Sequence, residues 1–190
     1  MCKPDENSGQ FTYPDDPAYF CAMETAYLML GGNMGDRAAY LRQGIALLGS
    51  SAGKVLRLSA VYESEPWGMS DPVWFLNQAV ELQTALGVFD LLDALQDMEH
   101  SLGRTRVAGG YRARVIDMDI VLYGSSTVNT PRLTVPHPLM AQRMFVLQPL
   151  SELIPNMVHP VLKLTVGELT ARCPDRLRVR LFAKNTRPER

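Results

Sequence analysis

Two stretches of the chain run strand, helix, strand in succession, and that order limits the available folds more than any other feature. Ala26-Tyr27-Leu28-Met29-Leu30 reads as a short apolar strand that stops at Gly31-Gly32. Asp36 can cap a helix whose apolar stripe is Leu41, Ile45 and Leu48. Leu56, Leu58, Ala60 and Tyr62 then alternate with Arg57, Ser59 and Val61, which predicts one half-buried strand. After a Pro- and Gly-rich loop, residues 76–84 send Val80, Leu82 and Thr84 one way and Glu81 and Gln83 the other. A second helix carries Leu91, Leu95, Met98 and Leu102, with Gly103 at its C-terminal cap. Residues 116–123 form a fourth strand, and a small hairpin is expected around 126–135. Pro138 is placed to open a third helix through Leu147. The expected architecture is an α+β sandwich of ferredoxin-like pattern, a mainly antiparallel sheet with helices packed on one face.

Charge and cysteine usage narrow the function classes. Nineteen Lys and Arg against 20 Asp and Glu leave a net charge of -1, which argues against a nucleic-acid coat or a membrane-surface protein. Cys2, Cys21 and Cys173 show no CxxC spacing and imply neither a disulfide framework nor a zinc site, so a cytoplasmic setting is expected. No apolar run reaches the ~18 residues that span a bilayer. The charge is unevenly spread. Residues 1–24 read as an acidic, weakly ordered extension, 25–173 as the working domain, and 174–190 as a basic tail. The tail is expected to be a solvated extension, with contact to nucleic acid or acidic lipid as the alternative.

The sharpest chemical signal is Ile116-Asp117-Met118-Asp119-Ile120-Val121-Leu122. Strand alternation puts Ile116, Met118, Ile120 and Leu122 on the core side and projects Asp117 and Asp119 together from the other. Their α-carbons should lie ~6.6 Å apart, where two carboxylates repel by roughly 2.5 kcal/mol at an effective dielectric of ~20. A divalent cation reverses that sign, and Mg²⁺ favours one or two carboxylates completed by phosphate oxygens and water. Incidental acids on a wet sheet face are the alternative reading.

The neighbouring charge favours the metal reading. Between Glu99 and Arg143 every Lys or Arg is an arginine: Arg104, Arg106, Arg112, Arg114, Arg132 and Arg143. Their forked guanidinium groups suit bidentate contact with phosphate. Val107-Ala108-Gly109-Gly110 separates two arginine pairs as a loop. An acidic metal site with an arginine-bearing flap is equipment for phosphoryl transfer, yet the P-loop and protein-kinase motifs are absent. A second site is suggested by Gly31-Gly32-Asn33, Trp67, Trp74, Phe75, Asn77 and Phe145. Two rings can sandwich a flat heterocycle while an amide reads its edge; each aromatic taken alone fits ordinary core or loop packing better. His137, in Pro136-His137-Pro138, reads either as a ligand or as a capped loop histidine.

Taken in order, these segments resemble the 6-hydroxymethyl-7,8-dihydropterin pyrophosphokinases. The matching elements are Leu30-Gly31-Gly32-Asn33, residues 62–68, Phe75-Leu76-Asn77-Gln78-Ala79-Val80, and Gln96 with Glu99 before Gly103-Arg104-Thr105-Arg106. Further on stand Arg114 with Asp117-Met118-Asp119, Arg132-Leu133-Thr134-Val135-Pro136-His137, and Arg143 with Phe145-Val146-Leu147. The resemblance implies transfer of the terminal pyrophosphoryl unit of ATP to the hydroxymethyl oxygen of the pterin, releasing AMP. It implies that Asp117 and Asp119 hold two Mg²⁺ ions and that Arg104 and Arg114 approach the phosphates. Gln96, Glu99, Arg106, Ile120, Arg132, Leu133, Thr134, His137 and Arg143 fall at ATP-site positions. Gly31, Asn33, Ser64, Glu65, Trp67, Phe75, Asn77 and Phe145 fall at pterin positions, with the ring between Phe75 and Phe145. ATP and the pterin would be the only partners of a monomer, with no nucleic acid or membrane involved.

The chain departs from the family pattern at Gly32, where serine is usual, at Arg112, where glycine or alanine is usual, and at Met118 between the aspartates. Two other classes of function fit parts of the chain: a relative that binds without turnover, and a ferredoxin-like module reading RNA on its sheet face. Asp117 and Asp119 on that face would repel RNA phosphates in the absence of metal.

Overall fold

Nine residues, Glu24–Gly32, form β1, and seven of them are buried because the strand is covered on both faces. This computed structural model describes residues 23–68, 72–104 and 113–183. In chain order the elements after β1 are α1 (Arg37–Ser51), β2 (Lys54–Leu58), β3 (Val61–Ser64), β4 (Phe75–Thr84), α2 (Val88–Ser101) and β5 (Asp117–Tyr123). There follow the short hairpin β6 (Val128–Asn129) and β7 (Thr134–Val135), then α3 (Met144–Leu153), α4 (Val166–Arg172) and β8 (Val179–Ala183). The main sheet runs β5-β1-β4-β3-β8, with β2 also paired to β4. Among the described residues every strand pairing is antiparallel.

Local chemistry explains the helix ends. The Asp36 carboxylate accepts from Ala39 N at 2.9 Å and starts α1. Gly103, at φ +90, supplies the left-handed turn that closes α2. Thr165 and Glu168 form a reciprocal capping box on α4.

Helices cover both sides of the sheet, not one. Leu41 and Leu48 of α1 and Leu91, Leu95 and Met98 of α2 pack on Leu28, Leu30, Val80, Leu82, Met118 and Ile120. On the opposite face, Val146, Leu147 and Leu150 of α3 and Val166 and Leu169 of α4 pack on Tyr27, Met29 and Ala79. Each fully buried leucine contributes roughly 1.5–3 kcal/mol, so the apolar second face of β1 requires its own cover.

Four further expectations change. The strand predicted across residues 56–62 is two, β2 and β3, because the chain breaks at Ser59-Ala60 and both strands pair with β4. Leu122 leaves the face of Ile116, Met118 and Ile120: a register shift against β1 turns Val121 and Leu122 together toward α3. Pro138 precedes a single 3-10 turn, Met140–Gln142, and α3 begins only at Met144. The basic stretch after Cys173 contributes β8, paired to β3 from Val61↔Ala183 to Ser64↔Val179.

Candidate active site

Backbone register assembles the floor of the site. Gly31 on β1 pairs with Asn77 on β4 and with Asp117 on β5, and Met29 pairs with Ala79 and Asp119. Directly opposed residues share a face, so both aspartates rise from the side of the sheet that α3 covers. Gly31 leaves room for the amide, since a Cβ there would lie 2.9 Å from Asn77 Oδ1 and displace it. The amide nitrogen of Asn77 donates to Ser64 Oγ at 2.9 Å.

A cleft opens above this floor, lined by Met29, Gly31, Ser64, Glu65, Trp67, Phe75, Asn77, Arg114, Asp117, Asp119, Arg143 and Phe145. Three sources build its sides: the loop after β3, the start of α3, and the N-terminal end of β5. The Arg143 guanidinium lies 4.4 Å from the Trp67 ring centroid and 5.7 Å from that of Phe145. Those distances place a cation against two aromatic faces within the cleft.

The acidic end is densely paired. Arg104 bridges Glu99 and one oxygen of Asp117, while Arg114 takes the other oxygen. Glu99, buried beneath, accepts from Met118 N at 2.7 Å and so fixes the strand segment between the two aspartates. Burial above all, then the negative charges of Asp117 and Glu99, push the Asp119 carboxyl up to about 7 against the opposing Arg114 and Arg104. Such a carboxylate is stabilised by any added cation, and both Asp117 oxygens already attract guanidinium groups. Among the described residues no three His, Cys, Asp or Glu side chains form a metal cage. Two carboxylates without a third ligand suit Mg²⁺ completed by phosphate and water, so the donor set fits that ion.

Asn33 takes a different place from the rest of the expected ring-binding set. It is buried, its Oδ1 accepts from Arg114 N at 2.8 Å, and its own N–H donates to Arg114 O at 2.9 Å. Gly32 permits this approach, since a Cβ there would meet Val115 O at 2.3 Å. The pair therefore clamps the backbone that carries Arg114.

The remaining expected nucleotide residues lie around the cleft rather than in its lining. Ile120 is buried under α2, and Leu133 packs at the edge of the same core. Arg132 is exposed, ion-paired with Asp93 and near the Phe89 ring. Thr134 pairs with Asn129 in the hairpin, and Gln96 is half-buried on α2. His137 Nδ1 accepts from Leu139 N at 3.2 Å, and burial, helped by the Arg143 charge, lowers its pKa to about 4. Arg106 and Arg112 lie outside the described residues. Met29, a lining residue, went unrecognised in the sequence because its apolar side chain looks like any other in β1.

Comparison with known proteins places this geometry. The profile of 7,8-dihydro-6-hydroxymethylpterin-pyrophosphokinase (HPPK) matches residues 27–155. The 2-amino-4-hydroxy-6-hydroxymethyldihydropteridine pyrophosphokinase of Bacillus subtilis is 46% identical over 129 residues, covering 67% of this chain and 77% of that one. Its namesake from Porphyromonas gingivalis is 43% identical over 141 residues, covering 73% and 95%. A crystal structure of Plasmodium falciparum HPPK-DHPS matches the fold with a TM-score of 0.66 at 16% identity, over 79% of this chain and 43% of that one. The chain thus spans less than half of the Plasmodium protein, and about three quarters or more of the two bacterial relatives. With more than half its length matched by the profile, the chain belongs to the HPPK family.

Proposed function

We propose that the cleft joins a flat-ring slot to a polyphosphate site and that the chain transfers pyrophosphate from ATP to 6-hydroxymethyl-7,8-dihydropterin, a step of folate biosynthesis. The observation that carries this reading is one continuous lining in which Phe75, Asn77 and Phe145 stand with Asp117, Asp119 and Arg114. Phe75 and Phe145 would take the two faces of the pterin, and Asn77 would read its edge. The Ser64–Trp67 side would set the ring's position so that its hydroxymethyl oxygen points toward the aspartates.

In the reaction, that oxygen forms a bond to the β-phosphorus of ATP while the bond from the β-phosphorus to the oxygen shared with the α-phosphorus breaks. The leaving group is AMP, and the hydroxyl proton is released. Asp117 and Asp119 would hold Mg²⁺, two ions in this reading, which when bound neutralises charge on the triphosphate. Arg104 and Arg114 now sit on Asp117, so they are positioned to exchange a carboxylate for phosphate oxygens as nucleotide arrives. Holding both substrates in one cleft supplies the entropic part of the rate gain. Glu99 keeps the strand segment of the aspartates in register, and the Asn33 clamp does the same for Arg114.

In this reading the protein acts on small molecules as a monomer, without nucleic acid. The ATP requirement and the free thiol of buried Cys173 favour a cytoplasmic setting. Incubation of the purified protein with ATP, Mg²⁺ and the pterin tests the reading: AMP and the pterin diphosphate are expected in equal amounts. Formation of ADP, or of AMP without dependence on pterin, refutes it.

A further inference from the structure

We propose that the segment from Asp175 to Arg178 is a brace that fixes the width of the ring slot, with Asp175 holding the Phe145 side and Arg178 holding the Glu65–Trp67 side. The inference rests on the slot reading above but concerns residues beyond the 27–155 span matched by the family profile.

The two ends of the brace are well defined. Asp175 Oδ2 accepts from Met144 N at 3.0 Å, so it caps the first turn of α3 between Arg143 and Phe145. Arg143, at the N-cap position of α3, makes no side-chain cap of its own. Asp175 Oδ1 also accepts from Leu177 N at 3.0 Å, which stiffens the turn toward Arg178. At the other end, Arg178 and Glu65 are joined by four hydrogen bonds. Arg178 N donates to Glu65 Oε2 at 2.7 Å, and its Nε and Nη2 donate to Oε1 at 2.9 and 2.7 Å. Glu65 N in turn donates to Arg178 O at 3.1 Å. Arg180 repeats the grip one register further on, with Nε and Nη2 at 3.0 and 2.6 Å from Glu63 Oε2. The guanidinium groups of Arg178 and Arg180 both stack near the Trp74 ring, at 4.9 and 4.7 Å.

Three residues of chain cannot span more than about 11 Å, so this short link limits how far the loop side and the α3 side can separate. Arg143 also connects them through Trp67 and Phe145, but it belongs to the lining that an entering ring would contact. Asp175 and Arg178 are not lining residues and can keep their bonds while the slot is filled. They act as positioning residues, through Phe145 and Glu65. Misplacement of a substrate by about 1 Å is enough to affect binding and rate strongly.

Arg178 is largely exposed, its side chain 74% accessible, so Arg178→Ala should fold normally and its effect should be modest. Equilibrium titration of Arg178→Ala is expected to weaken pterin binding by about threefold to tenfold while Mg·ATP-analogue affinity stays within about twofold. The melting temperature should stay within about 2 °C. Arg178→Lys, which keeps the charge but loses the fork, should recover only part of the loss. Asp175→Ala should likewise weaken pterin binding, and the double variant should lose less than the product of the two single effects, because either change loosens the same link, Arg178→Ala by removing the two side-chain bonds to Glu65. Pterin affinity of the unsubstituted protein should fall as salt rises from about 0.05 to 0.5 M, and Arg178→Ala should lose that dependence. Phe145→Ala measured in parallel separates the two ideas. If Phe145→Ala weakens pterin binding and Arg178→Ala does not, the brace is wrong and the slot stands. Loss of both affinities together with melting temperature in Arg178→Ala would also overturn the brace, since that marks general destabilisation. If neither variant changes pterin affinity, the slot itself is misassigned and the brace falls with it.

Discussion

Asn77 and Asp117 are both cross-strand partners of Gly31, so the amide proposed to read the ring edge and the carboxylate proposed to hold metal stand two strands apart on one face. At a strand spacing of about 4.8 Å, that separation is about 9.6 Å and is set by backbone hydrogen bonds alone. The sheet therefore acts as a ruler between the two halves of the cleft.

The first prediction concerns the residue between them. Gly31→Ala should push the Asn77 amide away from the slot, because the added methyl would lie 2.9 Å from Oδ1. Pterin affinity is expected to drop about tenfold or more, in keeping with loss of a buried hydrogen-bonding contact, while nucleotide affinity is unchanged. Fluorescence titration with the pterin, beside calorimetry with an ATP analogue, distinguishes the two.

Asn33→Ala should produce the opposite pattern. It removes the side-chain acceptor for Arg114 N, a partly buried hydrogen bond, at a cost of about 1 kcal/mol. Arg114 is then less well placed for phosphate, so the nucleotide KM should rise several-fold while pterin binding holds. A fall in pterin affinity with an unchanged nucleotide KM would return Asn33 to the ring site.

Much of the architecture is legible in the residues, and the exceptions have physical reasons. The uninterrupted apolar run of β1 and the Asp36 cap identify their elements directly, and period two places Asp117 and Asp119 on one side. Period two cannot register a bulge, so the turn of Val121 and Leu122 toward α3 was invisible. Tyr27, Met29 and Ala79 are apolar on the second face, the signature of cover on both sides, but the alternation of neighbouring segments suggested one-sided burial. Leu177-Arg178-Val179-Arg180-Leu181 alternates as a strand should; the density of positive charge outweighed that pattern, because the partners Glu63 and Glu65 lie more than a hundred residues away. The bond of Asn33 to Arg114 was invisible for a related reason, since the two residues are 81 positions apart.

A third prediction follows from His137, whose pKa is lowered to about 4 by burial first and the Arg143 charge second. The unfolded chain binds a proton near pH 6.5 that the folded chain refuses, so stability falls as pH drops from that value toward 4. Between pH 6.5 and 5 the loss should be about 1–2 kcal/mol. In His137→Asn, whose side-chain oxygen can still accept from Leu139 N, that part of the slope should vanish from urea-denaturation curves. An identical pH slope in both proteins would assign the acid sensitivity elsewhere.

The most direct test of the account is steady-state turnover of Asp119→Ala measured with its pterin affinity and melting temperature. Burial and the charges of Asp117 and Glu99 make this carboxylate costly to keep charged, so its loss should leave the fold at least as stable. Turnover should fall by about a thousandfold or more, with pterin binding retained. Turnover close to that of the unsubstituted protein would contradict the assignment of the paired aspartates to the polyphosphate site.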